Sequence, residues 1–153
     1  MGIEPFLITS SINAIIAQRL VRKLCSKCRA EDKVPDSILE KVKSEISASN
    51  SPDIAEWKTK PLKFYKSAGC SECEDGYHGR IAVYEVLVMS PEIEDMTIGH
   101  KAASEIFEVA HKQGMMSLRE NGILKALEGI TSLDEVFRIT ESAKEEQKEG
   151  END

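Results

Sequence analysis

SINAIIAQRLVRKL, Ser11 to Leu24, is the stretch on which the fold turns. Its periodicity predicts a helix. Ser10 or Ser11 supplies an N-cap, the hydroxyl accepting from an otherwise unpaired first-turn amide. Ile12, Ala14, Ile15, Ile16 and Ala17 are apolar on nearly every side, as in an element buried between others. Farther along, Leu20, Val21 and Leu24 face one way, and Arg19, Arg22 and Lys23, at i, i+3 and i+4, face the other. Cations in a last turn suit the negative end of a helix dipole.

Directly after this stretch comes LCSKCR, with Cys25 and Cys28. Its counterpart is GCSECEDGYHGRIAVYEVL (Gly69 to Leu87), with Cys70 and Cys73. All four cysteines of the chain lie in these two CxxC pairs. A CxxC turn offers two thiolates to one tetrahedral ion, and two such turns complete an all-sulfur shell with no position left for water. That predicts a structural Zn²⁺ rather than a catalytic one. Gly76 can take positive φ and so let amides point at the sulfurs. Lys27 and Arg29 would partly offset the formal −2 of four thiolates on zinc, while Glu72, Glu74 and Asp75 do the opposite. Disulfides, a redox CxxC and an iron–sulfur cluster are the alternatives. Nothing signals an oxidising compartment or a βαβ context for the first two, and the third stays open.

Around the pairs, VPDSILEKVKSEI reads as an amphipathic helix with Ile38, Leu39, Val42 and Ile46 on its apolar side. SASNSPD (Ser47 to Asp53) is loop by composition. PLKFYK and RIAVYEVLV (Arg80 to Val88) read as strands, which places the second CxxC in the turn of a β-hairpin. From Ser90 on the pattern is helical. Ser90-Pro91 opens one helix, which Gly99 ends. A second runs from about Ala102 to Lys112 and stops at Gly114. Ser117 and Glu120 form a capping box for a third, closed by Gly129. TSLDEVFRIT is a fourth.

With 153 residues, 41% hydrophobic and 31% charged, the composition is that of a soluble globular chain. No apolar run approaches the ~20 residues of a membrane span, and Phe6 stands where a myristoylation motif wants Ser or Thr. Of the net charge of −7, the segment 141–153 carries −4; with no apolar residue beyond Ala143, it is expected to be disordered. The rest is not basic enough for a nucleic-acid binder, although Arg19, Arg22, Lys23, Lys27 and Arg29 make a local patch suited to a protein partner. His78, His100 and His111 read as surface or helix-end residues. No Ser/His/Asp set, acid pair or P-loop is present.

Three blocks in order resemble the C-terminal third of the secretion ATPases, hexameric motors of type II secretion and type IV pilus assembly. They are GIEPFLITSSINAIIAQRLVRKLCSKC, GCSECEDGYHGRIAVYEVL and MMSLRENGILKALEGITSLDEVFRIT. The resemblance runs from about Gly2 to Thr140, and the paired cysteines are similar to those of the extension and secretion branches. It implies an α+β, mainly helical fold in four parts. Residues 1–24 would be the terminal helix of a RecA-like motor core, 25–88 a tetracysteine zinc module with a β-hairpin, 89–140 a C-terminal helical bundle and 141–153 an acidic tail. It assigns Cys25, Cys28, Cys70 and Cys73 to structural zinc, and no secure task to Arg19 or Arg22. Glu120-Asn121-Gly122 differs by Asn for Asp from a pattern common in the family.

Walker motifs are not in this chain, so the resemblance implies that ATP and Mg²⁺ belong to the full-length parent and that the chain alone is inactive. Implied partners are an inner-membrane platform protein and neighbouring ATPase subunits, in the cytoplasm at the inner membrane. Neither nucleic acid nor a membrane span is implied, and the isolated chain is expected to be a monomer. The Ile12/Ile15/Ile16 face is expected to be uncovered and sticky. A free-standing zinc-ribbon adaptor for a protein partner is the competing reading.

Overall fold

A computed structural model describes the backbone of residues 4–150 and the side chains of residues 4–141. The chain runs α1 (Pro5–Ser11), β1 (Ala14–Leu24), β2 (Ala30–Asp32), α2 (Asp36–Ala48), a 3-10 helix (Pro52–Lys58), β3 (Phe64–Lys66), β4 (Tyr77–Val88), α3 (Pro91–Ile98), α4 (Ala103–Lys112), α5 (Leu118–Leu127) and α6 (Leu133–Gly150).

The deciding stretch is a strand. Pro5 opens a short helix that ends at Ser11, Ile12 turns extended (φ −104°), and β1 follows. Ala, Gln, Arg, Leu and Lys favour helices intrinsically. Here pairing with β4, rich in β-branched residues, overrides that preference. Short apolar runs do not distinguish a buried helix from a strand by periodicity alone. The faces change accordingly. Val21 and Leu24 are buried as expected, but Leu20 points to solvent. The predicted terminal helix over 1–24 is thus replaced by a seven-residue helix and a long strand.

The two CxxC turns connect two separate antiparallel ribbons. β1 pairs with β4, Ala14 opposite Val88 and Leu24 opposite Tyr77. β2 pairs with β3, Ala30 opposite Lys66. The strand entering each CxxC therefore pairs with the strand leaving the other one. This corrects the expected hairpin around Cys70 and Cys73, because β3 and β4 belong to different sheets. Only Glu74 and Tyr77 pair directly across that turn, around Asp75 (φ 53°) and Gly76 (φ 83°). Positive φ at both central residues is the Asp-Gly turn whose twist suits a hairpin.

Beyond Ser90 the described chain is helical, as its caps predict. Ser90 Oγ accepts from the Ile93 amide, and Ser117 and Glu120 form the reciprocal capping box. One core joins Val42 and Ile46 of α2, Ile54, Phe64, Ile123 and Leu127 of α5 and Val136 of α6. The segment between the cysteine pairs is therefore packed against the C-terminal helices, and does not depend on the cysteines alone for order. Gly122 brings α5 close to α6: a Cβ there would meet Val136 Cγ1 at 2.7 Å. A smaller cluster joins Ile93, Ala110 and Met115. The backbone of α6 continues to Gly150, into the segment expected to be disordered. Its Glu, Lys, Ala and Gln residues are good helix formers. Side chains from 142 on lie outside the described residues, as do residues 151–153.

Candidate metal centre

Cys25 lies directly beyond the end of β1, buried, and its amide donates to the Gly76 carbonyl at 2.9 Å. This bond ties the first CxxC to the Asp-Gly turn of the second. Each pair makes the same local turn: Cys28 N–H donates to the Cys25 carbonyl at 3.3 Å, and Cys73 N–H to the Cys70 carbonyl at 3.3 Å. Gly76 has no room for a side chain, since a Cβ would lie 2.3 Å from that of Ser67.

These turns bring together all four residues named from the sequence. Their sulfurs lie within 4.8 Å of one another. Sγ separations are 3.9 Å for Cys25–Cys70, 3.7 Å for Cys28–Cys73 and 3.4 Å for Cys70–Cys73. A sulfur tetrahedron about Zn²⁺, at roughly 2.3 Å per bond, has edges of about 3.8 Å. The donor set and spacing fit that ion, and all four cysteines are free rather than disulfide-bonded.

The four thiols shift one another's titration in opposite directions. The Glu72 amide pulls the Cys70 thiol down, but its bond with Cys73, desolvation and the other two sulfurs push it up to about 12. For Cys73, desolvation acts upward, yet bonds from the Cys70 side chain and backbone leave the thiol below its ordinary value. A bound cation favours thiolate at every position and releases those protons.

The expected charge compensation takes another form. Lys27 pairs with Glu72, linking the two turns to each other. Arg29 is committed elsewhere, its Nη1 donating to the Gly129 carbonyl at 2.6 Å while the guanidinium lies over the Tyr65 ring. His78 is exposed, and His100 follows α3 at φ 52°.

Sequence reasoning missed Glu135. Its side chain is 1% exposed and gathers Arg22 and Arg138. One oxygen accepts from the Arg22 amide at 3.1 Å and Arg138 Nη2 at 2.7 Å. The other accepts from Arg22 Nη2 at 2.9 Å and Nε at 3.1 Å, and from Arg138 Nε at 3.1 Å. Burial would raise this carboxyl, but the bonds from Arg138 and Arg22 hold it at about 2. Arg22 also faces Arg80 across the sheet and lies 4.2 Å from the Tyr77 ring centroid. Glu135 thus neutralises a like-charge pairing that would otherwise be unfavourable. Arg22, placed in the basic patch from the sequence, thus makes a contact within this chain. The only signal in the sequence was an acid early in α6.

His111 also has a partner. Its Nε2 lies 2.9 Å from Glu120 Oε1, and Glu120 Oε2 accepts from Ser117. Asn121 Oδ1 accepts from the Tyr84 amide on the outer edge of β4. The Glu120-Asn121-Gly122 run, of which only Glu120 has a role from sequence as part of the capping box, therefore holds α5 to α4, β4 and α6. Beside it, a groove of about 520 Å³ is lined by Val86, Ile93, Met115 and Met116. It contains no set of converging nucleophilic or basic groups.

The profile of the family described as "Type II/IV secretion system protein" matches residues 1–138. The chain is 40% identical over 141 residues to the type IV pilus assembly ATPase PilB of Pseudomonas aeruginosa, covering 92% of this chain and 23% of that protein. Against PilB of Thermus thermophilus it is 38% identical, covering 92% and 15%. Against the type II secretion system ATPase E of Vibrio cholerae it is 35% identical over 147 residues, covering 94% and 26%. It thus spans about a quarter or less of each relative. The chain belongs to the type II/IV secretion system protein family.

Proposed function

We propose that this chain is the C-terminal, zinc-binding part of a hexameric cytoplasmic ATPase that powers type II protein secretion or type IV pilus assembly. The observation carrying the zinc reading is the near-tetrahedral spacing of Cys25, Cys28, Cys70 and Cys73 Sγ. Zn²⁺ supplies cross-linking there rather than a reaction, because four sulfurs leave no open coordination position. The cysteines fix the corners at which both ribbons turn.

Sheet β1–β4 supports the motor part of the reading. Ile16, Leu20, Tyr84, Val86 and Val88 alternate along one face of it, all at least 40% exposed. A face of that kind marks a contact surface. We assign it to the RecA-like core, whose P-loop and Mg²⁺ site the resemblance places upstream. ATP and Mg²⁺ are bound there, and this region passes the core's movement to an inner-membrane platform protein. In this reading contact with the bilayer is made through that partner; among the described residues no helix is long and apolar enough to cross a membrane.

Native mass spectrometry with and without chelator tests the metal, and one zinc per chain is expected. Platform binding by the full-length ATPase, with Cys25 and Cys28 changed to serine, tests the coupling. Wild-type binding in that variant would sink it.

A further inference from the structure

Four residues of the α5–α6 turn and one from the first turn of α6 contact both sides of the cysteine cluster. The Ile130 carbonyl accepts from Leu24 N–H at 2.8 Å, and Thr131 Oγ1 donates to the Arg22 carbonyl at 2.8 Å. The Gly129 carbonyl takes Arg29, and Ser132 Oγ shares a hydrogen bond of 2.8 Å with Tyr77 Oη. Glu135 then closes on Arg22 from the first turn of α6. Leu24 and Arg29 flank the first CxxC, and Tyr77 ends the Asp-Gly turn after the second. The same few residues thus hold the chain where it enters and leaves the first turn and where it leaves the second.

The fit is close. Gly129 takes φ 71°, and a Cβ there would lie 2.9 Å from Arg29 Nη1 and 3.1 Å from the Tyr65 ring. Thr131, Ser132 and Glu135 are at most 2% exposed. These polar groups are bonded chiefly to residues that border the cysteine turns, so displacing those turns strands them.

We propose that the α5–α6 turn is a latch that couples metal binding at the four cysteines to the packing of the C-terminal helices, with Glu135 as its positioning residue. This rests on the zinc reading of the cysteines. Coupling of this kind is reciprocal: whatever zinc adds to the latch, the latch adds to zinc affinity. Glu135 touches no sulfur and acts by fixing Arg22, three residues before Cys25.

The test is zinc affinity of the purified chain, measured by competition with a chromophoric chelator. Glu135→Gln should bind zinc about tenfold more weakly. Ile93→Val, or Ile93→Ala if that better matches its loss in Tm, lies in the other core cluster and should bind zinc as wild type does. That contrast separates coupling from general destabilisation. Chelation should also speed amide exchange at residues 129–136 while leaving α4 protected. Should Glu135→Gln not fold, Tyr77→Phe removes only the bond to Ser132, and a loss of about threefold is expected. Zinc affinity within twofold of wild type in the foldable variant, or unchanged exchange at 129–136, overturns the latch. Failure of the wild type to take up zinc in the same assay sinks the zinc reading, and the coupling falls with it.

Discussion

From Val21 to Leu24, β1 is bonded at its edge and half of its side chains are buried, whereas from Ala14 to Leu20 the same strand is mostly exposed. In the latched half the Arg22 amide meets Glu135, the Leu24 amide meets Ile130, and Val21 is 1% exposed. In the open half Ile15 is 50% exposed and Ile16 64%. Both halves pair with β4, in one register from Ala14 to Arg22 and past a bulge before Leu24, so the presence of a partner strand alone does not explain the difference. The latched half is finished by other parts of this chain. The open half has the composition of an interior element and little to cover it among the described residues.

The largest effect that would break this contrast is expected at the cysteines. Cys70→Ser should abolish stable zinc binding, since structural zinc contributes on the order of 10 kcal/mol to such sites. Amide exchange should rise around both CxxC turns and along residues 21–24, leaving residues 14–20 comparatively unchanged. Uniform loss of protection along β1 would show that the two halves do not differ in this way.

Next in size is Glu135→Ala, which leaves Arg22 and Arg138 without their shared carboxylate. Both guanidinium groups reach solvent, so the cost should be about 2–3 kcal/mol, read from chemical denaturation. The same group sets a pH dependence. Its carboxyl is depressed in the folded state, so its contribution is complete above the ordinary carboxylate range and is lost as pH falls from about 4.5 toward about 2. That loss should amount to roughly 2–3 kcal/mol, and Glu135→Gln should flatten it.

Gly122→Ala is smaller. Helix propensity favours alanine, but the contact with Val136 requires α5 and α6 to part, for a net cost of about 1–2 kcal/mol by thermal unfolding. Smallest of all is Leu20→Ser with Ile16→Ser, in the open half. Stability should change by about 0.5 kcal/mol or less, measured by chemical denaturation. A loss above 1 kcal/mol would mean that this face is already covered within the chain.

How much of this was legible depends on how local each signal is. Ser90-Pro91, the Ser117–Glu120 box and the spacing of Ile38, Val42 and Ile46 are read within single turns, and the structure keeps all three. The cysteine pairs were legible because the CxxC turn itself aims the sulfurs. β1 was not, since Arg19, Arg22 and Lys23 satisfy a helical spacing and only the distant partner β4 makes the stretch a strand. The exchange of strands between the two CxxC turns had no local signal either. Glu135 was one acid among many; its importance comes from Arg22, more than a hundred residues away in the chain.

The exchange of strands also bears on how the molecule is made. Leu24 meets Tyr77, and Ala14 meets Val88, so β1 leaves a ribosome well before its partner exists. At synthesis rates of about 5–20 residues per second, that interval lasts roughly 3–15 seconds. Throughout it an apolar strand has no partner to pair with, and the first CxxC offers only half of a coordination shell. Closing the intervening loop carries an entropic cost that neither the strand pair nor the cysteines can offset before both ends are present. Closure of the longer sheet and completion of the four-sulfur cluster therefore both await the second CxxC turn, and the nascent chain is most exposed to aggregation just before that moment.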